Sequence, residues 1–340
     1  MVLRAGRGAL RGERHPERGE APHESQSLIV GVRRAESHRE SSVGLWFAVE
    51  FETNFTDAQA VLDLLARAAA ALGESPLRVG CAVRLPACGR LVATGDLHDN
   101  PYHLDKILRL AGLDASVDHH VTLHELVHGE NLINGMDFSH RMILRAAEMV
   151  TRYPQQVHPL LANHEMSQMT GRGVSKGAGD AVVLFNEAVE FTFGNEAEEV
   201  TDAINSFLRA WPLALVTKSG VLCAHSLPAE HVMKQFDATI LDRELADADF
   251  EPRTGSAYLM VWGRRHGAAH LDHLADLFGV KAFCIGHEYA EAGSEPLGRR
   301  GIILNSDHER AAVLVLNLAE EPDPEQWVWA VRPLSSIEEG

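Results

Sequence analysis

The chain has 340 residues, of which 45% are hydrophobic, and its formal net charge is −17 at pH 7. This acidic balance disfavours binding to a nucleic-acid duplex or an anionic membrane surface, and no apolar run is long enough for a transmembrane helix. Four scattered cysteines, without a signal-peptide pattern, indicate a reducing compartment, so we expect a cytoplasmic protein.

Residues 1–42 are rich in charged residues, Gly and Ser, and have almost no apolar periodicity. Such a segment buries too little surface to offset its chain entropy, so it predicts a disordered N-terminal arm. Residues 43–335 are expected to form a single domain. Its first helix should follow the capping-box pattern of Thr56 and Gln59 and end at Gly73.

The rest of the domain interleaves helical and strand-like patterns. Apolar spacing predicts helices at 101–113, 138–153, 181–193 and 196–210. Short apolar runs predict strands at 77–85, 90–94, 121–123, 157–161, 213–217, 221–224, 257–262, 282–285, 302–304, 312–318 and 326–331. This order predicts a layered α/β sandwich.

Polar side chains directly follow four of these predicted strands. They are Asp96 and His98, Asn163 and His164, His225, and His287. Because α/β sheets bind ligands beyond the carboxyl ends of their strands, we expect these side chains to lie close together. Carboxylate, amide and imidazole groups are ligands for pairs of divalent metals, which bind a phosphate across both ions. The pattern therefore predicts a binuclear metal site.

The segment His124-Glu125-Leu126-Val127-His128 allows a different interpretation. It matches the His-Glu-x-x-His pattern of zinc proteases, in which two histidines one helical turn apart bind zinc and the glutamate is the base. That pattern requires a helix, whereas the apolar residues before it favour a strand and Gly129 shortens the segment. A zinc metalloprotease is therefore the alternative function.

Three motifs, Gly95-Asp96-Leu97-His98, Asn163-His164-Glu165 and Gly286-His287, together resemble the calcineurin-like metallophosphoesterase superfamily. Arg152-Tyr153-Pro154 and Trp262-Gly263-Arg264 resemble its phosphoprotein-phosphatase-like branch. The resemblance implies a four-layer α-β-β-α sandwich. It also implies a phosphatase that hydrolyses a phosphate ester by in-line attack of a hydroxide bridging two divalent metals.

The resemblance implies a role for each motif residue. One metal is expected on Asp96 and His98, a second on Asn163, His225 and His287, and His164 is the expected general acid. Candidates for holding the phosphate of the substrate are Arg172, Lys176 and Arg264. The ions are expected to be Mn, Fe, Zn or Ni, with Mn favoured. The substrate is expected to be a phosphorylated protein, nucleotide or small molecule.

The second motif of the superfamily, Gly-Asp-x-x-Asp-Arg-Gly, is degenerate in this chain. Glu125 lies where the bridging aspartate is expected and is the preferred bridge, Glu130 is the second choice, and a gap-free count back from Tyr153-Pro154 points to Asn131. His124 should point away from Glu125, because neighbours on a strand face opposite sides.

His128 lies where an aspartate usually orients the catalytic histidine, which leaves Asp99 and Asp137 as candidates for that role. These departures also admit a third interpretation, a non-catalytic regulatory module with a degenerate metal site.

Overall fold

Apolar side chains on both faces of the strands produce two sheets that pack against each other and against helices. The structure, a computed structural model, describes residues 51–172, 175–176 and 179–338, with the side chains of 173–179 excluded. The described residues belong to one unit, Leu45–Gly340. The arm predicted at 1–42 lies outside them.

Eight α-helices and fourteen strands are described. The helices are α1 (Ala58–Gly73), α2 (Pro101–Ala111), α3 (His140–Arg152), α4 (Asn163–Thr170), α5 (Ala181–Phe193), α6 (Ala197–Arg209), α7 (Ser256–Val261) and α8 (Ala268–Phe278). The strands are β1 (Arg78–Val79), β2 (Ala82–Leu85), β3 (Arg90–Thr94), β4 (His119–His124), β5 (Val157–Leu160), β6 (Ser175–Lys176), β7 (Gly179–Asp180), β8 (Ala214–Thr217), β9 (Val221–Ala224), β10 (Ala282–Ile285), β11 (Ser294–Pro296), β12 (Gly301–Leu304), β13 (Ala312–Asn317) and β14 (Val331–Pro333). Within the described ranges, no helix combines the length and apolar character that a membrane span requires.

The two large sheets each contain a run of parallel strands. One sheet has the order β14-β13-β3-β4-β5, and the other has the order β1-β2-β8-β9-β10-β12-β11. Strands β3, β4 and β5 are parallel to one another, as are β9, β10 and β12. The carboxyl ends of each parallel run therefore lie at one edge of its sheet, where the predicted site residues follow.

Side chains alternate between two buried clusters along the central strands. Leu91 and Ala93 of β3 pack in a cluster with Cys223 and Cys284 of the other sheet. Val92, between them in the sequence, belongs to the cluster that includes the helices. This alternation places one core between the sheets and further apolar packing under the helices. The predicted α/β sandwich with flanking helices is therefore confirmed.

The structure differs from the sequence-based elements at several points. Asp57, rather than Thr56, caps α1, because its side chain accepts a hydrogen bond from the backbone N–H of Ala60. The single strand predicted at 77–85 is two antiparallel strands that turn at Gly80, where φ is 57°. The strand prediction for 257–262 is wrong, because this short apolar run is helix α7, and periodicity alone does not separate a buried strand from a buried helix.

The terminal strand prediction for 326–331 is also largely wrong. Residues Pro324–Trp329 form a 3-10 helix that starts at a proline, and the side chain of Asp323 caps its first turn. Trp327 is consequently buried, whereas Trp329 is 79% exposed. Only Val331 of the predicted segment begins a strand.

Candidate metal centre

The first motif lies where the two sheets meet. Asp96 follows β3 and forms isolated backbone bridges with His124 at the end of β4 and with Asn305 after β12. Its carboxylate accepts hydrogen bonds from the backbone N–H of His287, at 3.0 and 3.1 Å to its two oxygens. The contact joins the loop after β3 to the loop after β10, so residues from both sheets reach one place.

Several loop residues at this edge have left-handed backbone conformations. His98, Asp99, Glu125, His128 and His287 have φ between 40° and 67°. A non-glycine residue in this region carries a conformational cost of about 1–3 kcal/mol, and such residues cluster at active sites. The surrounding structure must therefore hold these loops in place.

Glu165 holds the loop after β4 in that conformation. Its Oε1 accepts hydrogen bonds from the backbone N–H groups of Leu126 at 2.6 Å and Val127 at 3.3 Å. Burial raises the pKa of Glu165 to about 7. The sequence showed Glu165 as part of a motif but did not indicate this role, because the two N–H groups are distant in the chain.

Glu125 presents its two carboxylate oxygens to two separate groups of side chains. On one side, Oε1 lies 3.6 Å from Nε2 of His98 and 3.5 Å from Nε2 of His164. On the other side, Oε2 lies 3.1 Å from Nε2 of His225. One buried carboxylate thus connects both halves of the cluster.

The second half of the cluster converges on His225. Its Nε2 lies 2.5 Å from Oδ1 of Asn163 and 2.9 Å from Nδ1 of His287. All three side chains are buried. Three potential donor atoms from the ends of β5, β9 and β10 therefore surround one point next to Oε2 of Glu125.

The carboxylate of Asp96 is held in its charged form. Burial opposes that charge, but the neighbouring histidines 225, 124 and 98 hold the pKa of Asp96 well below its ordinary value. Gly286 allows this arrangement, because a Cβ atom there would lie 2.2 Å from Oδ1 of Asp96. Asp96 is therefore available as an anionic ligand.

His124 also enters the site, contrary to the expectation from strand alternation. Strand β4 ends at His124, and the positive φ of Glu125 breaks the alternation, so both side chains point to the same region. Nδ1 of His124 lies 3.2 Å from Nδ1 of His225 and 3.8 Å from Oδ1 of Asp96. Burial and the neighbouring His225 lower the pKa of His124 to about 4.

The donor set fits divalent transition metals. Two triads of His and acidic side chains, one of Asp96, His124 and His225 and the other of His98, Glu125 and His164, each place three potential ligand atoms within 4.8 Å. Mixed imidazole, carboxylate and amide donors suit Mn, Fe, Zn and Ni, whereas Ca and Mg prefer sites built of oxygen. The residues present therefore match the predicted metals.

His164 has imidazole rings on both sides. Its ring centre lies 5.2 Å from that of His98 and 5.5 Å from that of His128. Nδ1 of His128 pairs with Oδ2 of Asp137 at 2.8 Å. Asp137, one of the two acids predicted as candidates for orienting His164, thus pairs with His128, whose ring lies next to that of His164. For the other acid, Asp99, burial and the nearby charge of Asp137 raise the pKa to about 7.

The three candidate phosphate-binding cations lie in different settings. Arg264 is at the site, where its Nη1 donates a hydrogen bond to the backbone oxygen of His287 at 2.6 Å. Arg172 pairs instead with Glu251 at 3.3 Å, and both side chains are about half exposed. The side chain of Lys176 lies outside the described residues. Binding of the substrate phosphate by Arg172 and Lys176 stays a prediction.

Neither alternative to Glu125 reaches the cluster in the described part of the chain. Glu130 and Asn131 are both exposed. A carboxylate that no sequence motif contains does approach it, since Oδ2 of Asp307 lies 4.0 Å from Nε2 of His98. Asp307 closely follows β12, so the strand-end signal used for the other ligands would have found it.

The arrangement of the His-Glu-x-x-His segment excludes the helical zinc site. His124 ends a strand and the next residue has a left-handed conformation, so the segment does not form the helix that the protease pattern requires. Nδ1 of His124 faces His225, whereas Nδ1 of His128 faces Asp137. The two histidines therefore do not share a ligand site.

Comparisons with known proteins bear on the family and the fold of this chain. Residues 89–291, more than half of the chain, match the family described as calcineurin-like phosphoesterase. The fold is similar to that of a protein serine/threonine phosphatase from Saccharomyces cerevisiae, with a TM-score of 0.55, 13% identity, and coverage of 76% of this chain and 82% of that chain. A cold-active protein-tyrosine phosphatase of a psychrophilic Shewanella species is similar with a TM-score of 0.51, 14% identity, and coverage of 74% and 80%. No curated protein matches the chain in sequence.

Proposed function

This chain belongs to the calcineurin-like phosphoesterase family, and we propose that its metal centre holds two divalent ions on either side of Glu125. Family membership makes the protein a metallophosphoesterase, a hydrolase of phosphate esters that acts on a phosphorylated substrate. The single observation that supports a pair of ions is that the two oxygens of Glu125 face two different groups of ligands.

Each ion would have its own set of protein ligands. Asp96, His98 and Glu125 would hold the first ion, and Glu125, Asn163, His225 and His287 would hold the second. When bound, such a pair supplies a nucleophile at neutral pH and offsets the negative charge of the phosphoryl group. For Glu125, His98, Asn163, His225 and His287 the assignment rests on donor atoms and mutual distances. Asp96 is assigned to the first ion from its place in the first motif, and its Oδ1 lies 3.5 Å from Nδ1 of His225.

The remaining residues would act on the substrate itself. His164 would donate a proton from its ring to the leaving oxygen, because it lies beside the first group of ligands without being needed to complete either set. In-line displacement would require the phosphate to be held in one orientation. Arg264, at the edge of the site, offers a fixed positive charge that would bind the phosphate. Glu165 would keep the loop that carries Glu125 in place.

The metal, the substrate and the location of the protein are also part of the proposal. We favour Mn among the metals that suit this donor set. The substrate is proposed to be a phosphoprotein, a nucleotide or a small phosphomonoester. A cytoplasmic location is proposed because all four cysteines are free thiols.

Metal removal and replacement test the proposed function. The full chain, stripped by a chelator, should lose its ability to hydrolyse an aryl phosphate and regain it when two equivalents of Mn²⁺ are added. Metal content should be measured on the same samples. Full activity of the metal-free protein, or full activity at one ion per chain, would contradict the proposal.

A further inference from the structure

We infer that His124 is a positioning residue that accepts the Nδ1 proton of His225 and thereby keeps the Nε2 lone pair of His225 available to the second ion. This inference rests on the proposed two-metal function and deepens it. It concerns a residue that the sequence predicted to face away from the site, and it follows from a chain of hydrogen bonds that begins at the backbone of β3.

The backbone carbonyl of Thr94 determines the proton position on His124. Nε2 of His124 lies 2.7 Å from that oxygen, and both groups are buried. A carbonyl oxygen can only accept, so Nε2 must carry the proton and donate it. Since a neutral imidazole has one N–H group, Nδ1 of His124 is left as an acceptor.

On its Nδ1 side, His225 faces two acceptors. Its Nδ1 lies 3.2 Å from Nδ1 of His124 and 3.5 Å from Oδ1 of Asp96, and both of these atoms accept. When Nε2 of His225 binds the second ion, the one proton of the neutral ring is on Nδ1, where His124 and Asp96 are placed to accept it.

The other ring nitrogen faces the proposed metal ligands. Nε2 of His225 lies within 2.5–3.1 Å of the donor atoms of Asn163, His287 and Glu125. If the proton were on Nε2 instead, it would occupy the space in which the second ion is proposed to bind. Groups that fix the tautomer of a metal-binding histidine in this way contribute about 10–100-fold to metal affinity.

Two substitutions separate positioning from packing. His124→Ala removes the nearer of the two acceptors at Nδ1 of His225, whereas His124→Asn replaces Nδ1 of His124 with an amide oxygen at a similar distance from the backbone. Each full-length variant is stripped of metal and titrated with Zn²⁺ against a chromophoric chelator. We expect His124→Ala to weaken one of the two Zn²⁺ sites about 10–100-fold and His124→Asn to recover most of that loss.

A control on the same strand tests whether any buried histidine has this effect. His120 stacks on His158 with ring centres 5.3 Å apart and contacts none of the proposed ligands. His120→Asn should therefore leave both Zn²⁺ affinities unchanged, even where it lowers the melting temperature. Equal weakening by His120→Asn and His124→Ala would show a general loss of packing and would contradict the inference.

Nitrogen-15 spectra of the histidines in the Zn²⁺-loaded wild-type protein test the inference without a variant. The resonance lost in a His225→Gln sample identifies His225, and its proton should be on Nδ1. A proton on Nε2 would overturn the inference. A third Zn²⁺ ion that disappears in His124→Ala would also overturn it, because His124 would then be a metal ligand. Fewer than two ions in the wild-type protein would contradict the proposed two-metal function. Two ions in the wild-type protein with unchanged affinities in His124→Ala would contradict only the inference about His124.

Discussion

Two groups of buried histidines in this protein have different surroundings. His124, His225 and His287 lie at the ends of strands next to the acidic side chains of Asp96 and Glu125. A second group of buried histidines, His120, His140 and His158, has no carboxylate at hydrogen-bond distance among the described residues. Burial is nearly complete in both groups, so burial does not distinguish a metal site from a packed interior.

The second group is surrounded by backbone and aromatic rings. Nδ1 of His120 lies 3.1 Å from both the backbone oxygen of Gln155 and Nε2 of His158. His140 lies among Phe138, Phe185 and Phe193, and neither of its ring nitrogens has a hydrogen-bond partner in the described part of the chain. The comparison shows that anionic ligands, more than histidines, mark the functional site.

Removing the shared carboxylate should have the largest effect on the first group. We expect Glu125→Gln to lose at least one of two bound ions, and activity with it, because a neutral amide bridges two cations poorly. Metal content by mass spectrometry and hydrolysis of an aryl phosphate measure the two effects. Glu130→Gln is the matched control, since Glu130 is exposed and should be silent. Two retained ions in Glu125→Gln would reject Glu125 as the bridge.

His164 tests whether a histidine within the cluster can act without binding metal. His164→Ala should reduce turnover by ~10²–10⁴, the usual contribution of a general acid, while both ions stay bound. The loss should be smaller for an aryl phosphate whose leaving group needs no proton than for an alkyl phosphate. Loss of an ion from this variant would instead assign His164 as a ligand of the group with His98 and Glu125.

His140 tests the second group through the pH dependence of stability. Burial lowers the pKa of His140 to about 4, below the ordinary value of about 6.5. Above pH 6.5 neither state binds the proton, whereas between pH 6.5 and 4 only the unfolded state does, so the wild-type protein loses stability as the pH falls. His140→Phe removes this loss.

We therefore expect the free energy of unfolding of His140→Phe minus that of wild type to be about 2 kcal/mol larger at pH 5 than at pH 8, so the variant is relatively more stable at pH 5. Urea unfolding at both pH values measures this difference, in which any pH-independent packing cost cancels. His273→Phe, at an exposed position on α8, is the control and should retain the wild-type pH dependence. An unchanged pH dependence in His140→Phe would show that the ring is not buried in its neutral form.

The smallest effect is expected from removing the arm, which should alter neither group of histidines. A chain that starts at residue 43 should keep the melting temperature and activity of the full chain. It retains the contact of Arg145 with the ring of Phe51, at 4.6 Å, and the hydrogen bonds from the backbone N–H groups of Glu52 and Thr53 to Glu148. A chain that starts at residue 56 lacks these contacts and should melt earlier. A fall of several degrees for the first truncation would mean that the arm packs on the domain.

Much of the architecture was predictable because it depends on local patterns. Strand β3 has the bounds that its apolar run predicts, and α5 also matches its predicted helix. The polar side chains that follow four predicted strands indicated a single site, because parallel strands bring their carboxyl ends to one edge of a sheet. The short segment at 257–262 was not predictable in the same way, since a run of six apolar residues fits a buried helix as well as a strand.

The sequence by itself therefore determined the sandwich of two sheets and the chemical types of the ligands, while the tertiary structure decided which side chains meet. Glu125 could be preferred to Glu130 and Asn131 only by analogy, and its burial between His98 and His225 depends on strands far apart in the chain. The inward direction of His124 depends on the left-handed conformation of the residue after it. That conformation is held by Glu165 of helix α4, which is distant in the chain, so no local pattern around His124 could have revealed it.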